Sequence, residues 1–213
     1  MDLFTDQQAA IQDIIKDAYL LKGFALGDES QLLADLAQLI SVAPLRHMAT
    51  PSGFNMSVAT TNCGDLGWVS DRKGYRYTTL DPLSNRPWPA MPQSFRLIAQ
   101  QAASAVGYQD FDPDACLVNQ YQVGARMGLH QDKDELDFSQ PIVSVSLGLP
   151  AVFQFGGLER TGKTLRVLLE NGDVVVWGGA SRLRFHGILP VKASMDPTLL
   201  FRTNLTFRRA GKS

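Results

Sequence analysis

The chain of 213 residues carries 20 Lys and Arg against 21 Asp and Glu, a net charge of −1, with 45% hydrophobic and 19% charged residues. This balance supplies the core of one domain, and it excludes both a disordered charged tail and a histone-like coat of positive charge. Three histidines (His47, His130, His186) and two cysteines (Cys63, Cys116) without a CxxC pair point away from a disulfide-stapled secreted scaffold and towards a cytoplasmic setting.

The first dozen residues show no basic patch followed by an apolar stretch, so no signal peptide is expected. Charge is uneven: Met1 to Pro44 is acidic, whereas Leu45 to Arg96 and everything from Arg182 onward are basic. Basic segments of this kind suit local contact with a polyanion, or they are solvated faces. A first helix is expected over 30–41. Asp28 and Gln31 have capping-box spacing, and Leu32, Leu33, Leu36, Leu39 and Ile40 form one stripe. Residues 46–91 are rich in Gly, Pro, Thr, Asn and aromatics, with alternating pieces such as Phe54-Asn-Met56-Ser-Val58. They read as the hairpins of a lid, closed by a rigid strap from Pro87 to Pro92.

A second packing helix follows Pro92 and stops at Gly107, with Phe95, Ile98, Ala99 and Ala102 towards the core. Strand-like runs then dominate, at 115–121, 142–147, 151–155, 164–169, 173–177 and 199–207, and Glu170-Asn171-Gly172-Asp173 is a hairpin signal. The apolar stretch from Ile142 to Leu158 is broken by Ser, Pro, Gln and paired Gly, so it reads as core strands and not as a membrane span. The expected fold is α+β and mainly β. An N-terminal extension with a packing helix (1–44) and a β-rich lid (45–92) precede a jelly-roll core (93–213), all in one structural domain.

His130-Gln131-Asp132 places an imidazole and a carboxylate two residues apart, on one side of an extended segment. His186 on a distant strand would complete a 2-His-1-carboxylate set, which leaves positions of an octahedral ion open as non-haem Fe(II) oxygenases require. A closed zinc site would want a fourth protein ligand. An isolated HxD is also a common chance pattern. The run from Phe201 to Arg208 adds an independent signal. Alternation puts Arg202, Asn204, Thr206 and Arg208 on one face, with Phe201, Leu205 and Phe207 on the other. That polar face either lies in water or lines a pocket whose guanidiniums grip a dicarboxylate. Triad and strand together imply Fe(II) with 2-oxoglutarate.

The runs Asn119-Gln-Tyr121, Leu129-His130-Gln-Asp132-Lys-Asp134-Glu135, Phe153-Gln-Phe-Gly-Gly157, Gly172-Asp-Val-Val-Val-Trp177, His186-Gly187 and Arg202-Thr-Asn204-Leu-Thr-Phe-Arg208 resemble the AlkB family of bacterial DNA-repair dioxygenases. Asn62-Cys63-Gly64, Leu66-Gly67-Trp68 and Trp88-Pro89-Ala-Met91-Pro92 resemble that family's nucleotide-recognition lid, and the likeness spans 45–211. The resemblance implies a double-stranded β-helix with His130, Asp132 and His186 as iron ligands and catalytic centre. Arg202 would pair with the distal carboxylate of 2-oxoglutarate and Arg208 would sit near its chelating end, with Asn119, Tyr121 and Asn204 as further partners. O2 is the second co-substrate. N-methyl groups of bases such as 1-methyladenine and 3-methylcytosine would be hydroxylated, and the unstable adducts would collapse to formaldehyde and the restored base. Succinate and CO2 would be the other products.

Trp68 is expected to stack on the extruded base and Asp134 to meet its exocyclic amine, with Glu135 assisting. Tyr75, Thr50 and Met56 are further lid candidates, and Arg160 a contact to the nucleic-acid backbone. Lys133 reads equally as such a contact or as surface. On the residues alone Trp68 is a half-buried hairpin aromatic, and His47, Cys63 and Cys116 are structural. The best-known bacterial form has Lys, Ser and Tyr where this chain has Arg126, Gly128 and Phe54, which puts substrate range in question and leaves the core reaction. The expected partner is alkylated DNA, single-stranded by preference, with RNA as a second candidate. No membrane is expected, and the expected oligomeric state is a monomer. Two alternatives stand beside this: the same chemistry on RNA, protein or a small metabolite, and a cupin-like or nucleic-acid-binding module with a vestigial metal site.

Overall fold

Alternation along the strands sorts the chain into three layers. The computed structural model describes residues 10–211. In chain order its elements are β1 (Ile11–Ile15), β2 (Ala18–Leu21), α1 (Glu29–Val42), β3 (Arg46–Ala49), β4 (Asn55–Gly64), β5 (Gly67–Asp71), β6 (Gly74–Thr78), α2 (Gln93–Ala105) and β7 (Ala115–Tyr121). They continue with β8 (Met127–His130), β9 (Ile142–Gly148), β10 (Ala151–Phe155), β11 (Leu165–Leu169), β12 (Val174–Trp177), β13 (His186–Ile188) and β14 (Arg202–Arg208). A large sheet runs β1-β2-β12-β9-β14-β7-β4-β3, a small one β11-β10-β13-β8, and β5-β6 forms a separate hairpin.

The helices cover one face of the large sheet. Leu32, Leu36 and Leu39 of α1 and Phe95, Ile98 and Ala99 of α2 pack with Val118, Val143, Val174, Val176, Leu205 and Phe207. The small sheet covers the other face, where Ile142, Val175 and Trp177 meet Phe153, Phe155 and Ile188. β12 shows the division residue by residue: Val174 and Val176 serve the first core, Val175 and Trp177 the second. Each such buried side chain contributes about 1.5–3 kcal/mol. The result is the expected mainly β α+β jelly roll, and among the described residues no helix is long and apolar enough to cross a membrane.

β14 lies at the middle of the large sheet, paired with β9 and β7. All seven of its residues are buried. Leu205 and Phe207 enter the helix-side core, so the alternate face of Arg202, Asn204, Thr206 and Arg208 opens into the space between the sheets and not into water. Segment 46–91 divides its duties. β3 and β4 extend the large sheet beyond β7, and β5-β6 stands over the mouth of the inter-sheet space. The strap packs beneath this hairpin: Trp88 lies with Met48 and Val69, and its indole donates to the Thr78 carbonyl at 3.0 Å.

Several local expectations need correction. β1 and β2 form a hairpin about Asp17 (φ +59°) and join the large sheet, where only an extension was anticipated. Asp28 occupies the N-cap of α1 but makes no side-chain cap bond, because a 3-10 turn over Leu26–Asp28 leads directly into the helix. Gln31 donates to Asp35 instead, and Leu33 faces solvent. Phe201 precedes β14 and is exposed, away from the core face assigned to it.

The turn Glu170–Asp173 is real, with Gly172 at φ +80°, but it joins no hairpin, since β11 belongs to the small sheet and β12 to the large one. Its side chains are used to brace that crossover. Asp173 accepts from Lys22 and the Gly23 amide, and Asn171 accepts from the Gly148 amide.

Candidate metal centre and substrate pocket

The small sheet supplies two imidazoles at one point. β8 ends on His130 and β13 begins on His186, and the antiparallel register sets these two residues directly opposite each other. Each ring is fixed at Nδ1 by a backbone carbonyl: Gly128 for His130 at 2.9 Å, Arg184 for His186 at 3.1 Å. A carbonyl only accepts, so Nδ1 carries a proton, and in the neutral ring Nε2 then offers its lone pair. Both Nε2 atoms converge on Asp132 Oδ1, at 3.6 and 3.8 Å. The three ligand atoms lie within 4.8 Å of one another, as a metal ion requires.

The second carboxylate oxygen of Asp132 is taken. Arg208 donates to Oδ2 through Nε at 2.8 Å and through Nη2 at 2.6 Å, which leaves Oδ1 for the histidines. Burial opposes ionisation of Asp132, but the Arg208 guanidinium first, and the two imidazoles when protonated, outweigh it and hold the carboxyl well below its usual range. Burial, reinforced by His130, pulls His186 down to about 4, so its ring is a neutral ligand at pH 7. Arg182 braces this segment from behind. It donates to the Asp132 carbonyl at 2.8 Å and faces Glu135 Oε2 at 3.3 Å.

The large sheet supplies the opposite wall. Arg202 is 1% exposed. Its Nη2 donates to Ser146 at 3.1 Å, while Nε and Nη1 have no hydrogen-bond partner among the described residues. Asn204 donates to Ser144 and accepts from Thr206, and Asn119 stands opposite it across β7 and β14. The Arg202 guanidinium lies 5.0 Å from the Tyr121 ring centre. A buried, half-satisfied guanidinium in one pocket with a facial ligand set fits a dicarboxylate co-substrate beside a metal.

A pocket of about 580 Å³ joins these walls to the hairpin. It reaches Trp68, Tyr75, Thr50, Met56, Asp134 and Arg160. Trp68 and Tyr75 stack with ring centres 5.4 Å apart, and the Trp68 indole donates to Asp134 Oδ2 at 2.8 Å. Met56 also packs in the small core beneath the hairpin. Thr50 belongs to a turn whose hydroxyl accepts from the Phe54 amide. Glu135 is placed differently from the others. Its carboxylate accepts from Tyr77 at 2.7 Å and faces Arg208 at 3.4 Å, so it backs the ligand set. His47 donates to the Met56 carbonyl, and Cys63 and Cys116 lie buried opposite each other on β4 and β7, all outside the pocket lining.

Of the three departures, Gly128 lines the pocket and a Cβ there would meet nothing within 4 Å. Phe54 is exposed at the base of its turn, where its carbonyl accepts from the Thr50 amide, and the Arg126 backbone is tied to Ser57. Tyr77, Arg182, Ser144 and Ser146 went unrecognised as site residues in the sequence, where no spacing marks them. A larger groove of about 750 Å³ beside α1 and α2 gathers none of the metal-ligand cluster.

Comparison with known proteins agrees with this geometry. Residues 17–208 match the family described as the 2OG-Fe(II) oxygenase superfamily. The chain is 56% identical over 213 residues to the alpha-ketoglutarate-dependent dioxygenase AlkB of Escherichia coli K12, covering 100% of this chain and 99% of that one. It is 33% identical over 124 residues to human nucleic acid dioxygenase ALKBH1, covering 58% of this chain and 31% of the relative. The solved structure of OsALKBH1 superposes with a TM-score of 0.81 at 30% identity, covering 94% of this chain and all of that chain.

Proposed function

This chain belongs to the AlkB family of Fe(II)/2-oxoglutarate dioxygenases, and from that membership and its pocket we propose how it repairs N-alkylated nucleic-acid bases as an oxidative demethylase. The observation that carries the reading is the pairing of the His130–Asp132–His186 triad with the buried, half-satisfied Arg202 under an aromatic hairpin. When bound, Fe(II), 2-oxoglutarate and O2 together supply the power to hydroxylate a C–H bond, the co-substrate leaving as succinate and CO2.

The residues do the rest. Arg202 binds the far carboxylate, and Arg208 both neutralises the near one and keeps Asp132 turned towards the histidines. Asn119, Tyr121 and Asn204 orient the chain between those carboxylates. Trp68 and Tyr75 offer aromatic surface on which an extruded base is held, Thr50 and Met56 complete that wall, and Asp134 accepts from its exocyclic amine. Such a pocket suits cationic lesions such as 1-methyladenine and 3-methylcytosine, because carboxylates face the positive ring. Arg160 binds a flanking phosphate, and single-stranded DNA is the favoured substrate, since no stacked duplex has to be opened.

Purified protein given Fe(II), 2-oxoglutarate and O2 is expected to release formaldehyde in step with succinate from single-stranded DNA containing 3-methylcytosine. Succinate without formaldehyde would leave a dioxygenase with a different substrate and end the nucleobase reading.

A further inference from the structure

Trp68 and Tyr77 face each other across β5 and β6 as directly paired residues, and both reach down to one short segment. Trp68 grips Asp134, and Tyr77 donates to Glu135 Oε1 at 2.7 Å. Glu135 Oε1 lies 3.4 Å from Arg208 Nε, and Arg208 in turn places two hydrogen bonds on Asp132 Oδ2. Glu135, Arg208 and Asp132 are all buried. From the hairpin to the carboxylate of the ligand set there is thus an unbroken line of charge-assisted contacts, Tyr77 to Glu135 to Arg208 to Asp132.

Each link constrains the next. Arg208 decides which Asp132 oxygen is presented to the histidines. Arg208 is held against Asp132 on one side and Glu135 on the other. Glu135 keeps its place through Arg182 at Oε2 and Tyr77 at Oε1. Tyr77 is the single member contributed by the hairpin. Removing its hydroxyl leaves a buried carboxylate oxygen with one donor fewer, and Glu135 and Arg208 must then readjust against Asp132.

We propose that Tyr77 is a positioning residue through which the β5-β6 hairpin and the metal ligands hold one another in place. A seated hairpin orders Asp132, and a metal on Asp132 holds the hairpin down. The coupling is reciprocal, because whatever metal binding adds to hairpin closure, closure adds to metal affinity. This rests on the metal reading of the triad and is independent of which base the pocket accepts.

The test uses the full chain with Co(II) in place of Fe(II). Amide exchange of residues 67–78 is followed with and without the metal, and Co(II) affinity is measured by calorimetry. In the parent protein Co(II) is expected to slow exchange in the hairpin. In Tyr77→Phe most of that metal-dependent slowing should vanish, with Co(II) bound about fivefold more weakly or worse. If Tyr77 only supports the fold, the variant will exchange faster by the same factor with and without Co(II), at unchanged affinity, and the proposal is overturned.

Should Tyr77→Phe not fold, Glu135→Gln keeps an acceptor for Tyr77 but removes the charge facing Arg208. It should show the same two losses, and unchanged values there overturn the proposal as well. No Co(II) binding by the parent protein would remove the metal reading together with this inference. Protection that Tyr77→Phe does not alter would remove the inference alone.

Discussion

A buried guanidinium with two idle donors raises the free energy of the folded chain, and Arg202 is in that condition. Burial also drags its pKa below the usual arginine range. Within the sheet it reaches only Ser146 and the face of Tyr121, so the remaining donors make sense as a binding group for a carboxylate. Arg202→Met, of similar volume, is expected to melt at the same temperature as the parent or higher. The rise in melting temperature produced by 2-oxoglutarate in the presence of Co(II), worth about 2.7 kcal/mol at a hundred times the dissociation constant, should disappear. Thermal melts of both proteins with and without 2-oxoglutarate measure the two effects together. A variant that loses stability yet still responds to 2-oxoglutarate would contradict the assignment.

At the level of elements, the meeting of β8 and β13 is the sensitive joint. A Cβ on Gly187 would stand 2.6 Å from the Met127 carbonyl oxygen, so the two strands approach as closely as they do because residue 187 has no side chain. Gly187→Ala should push β8 away from β13 beside the paired histidines and weaken Co(II) binding by roughly 10–100-fold, the scale of supporting-group losses at metal sites. Isothermal calorimetry checks this, and wild-type affinity would mean that the close approach is irrelevant to the ligands.

What could be read from the sequence follows the same logic of range. His130-x-Asp132 and the alternation of Arg202 to Arg208 are local patterns, so the order of residues alone displays them. The grip of Tyr77 on Glu135 and the support of Asp132 by Arg182 are made by residues far apart in the chain. No spacing encodes them. The turn Glu170–Asp173 misled for a related reason, since local chemistry specifies a reversal but not which sheet receives the next strand.

For the whole molecule, many of the bases in the runs visible in the sequence prove to be spent. Arg46 pairs with Asp81, Arg76 with Asp71 and Arg96 with Asp112, while Arg182, Arg202 and Arg208 are buried. Besides Arg202 and Arg208, the cations lining the pocket are Arg160 and Lys133. Binding of a methylated single-stranded oligonucleotide should therefore depend weakly on salt. The plot of log affinity against log salt is expected to have a slope of about −2, against −5 or steeper for an extended basic track. Fluorescence anisotropy across a salt series reads this directly, and a steep slope would mean that the strand is held along a longer path than the pocket provides.

The pairing of β2 with β12 has a consequence for the life of the chain before it is complete. Leu20 and Leu21 find their partners Val175 and Val174 only about 150 residues later, which at 5–20 residues per second is on the order of ten seconds of synthesis. During that interval the early apolar strand has no sheet to join, and the ribosome holds a nascent chain whose first edge cannot yet close. The last elements to emerge, β12 to β14, carry His186 and the arginine strand. The jelly roll and its reaction centre thus come into being at nearly the same moment of translation.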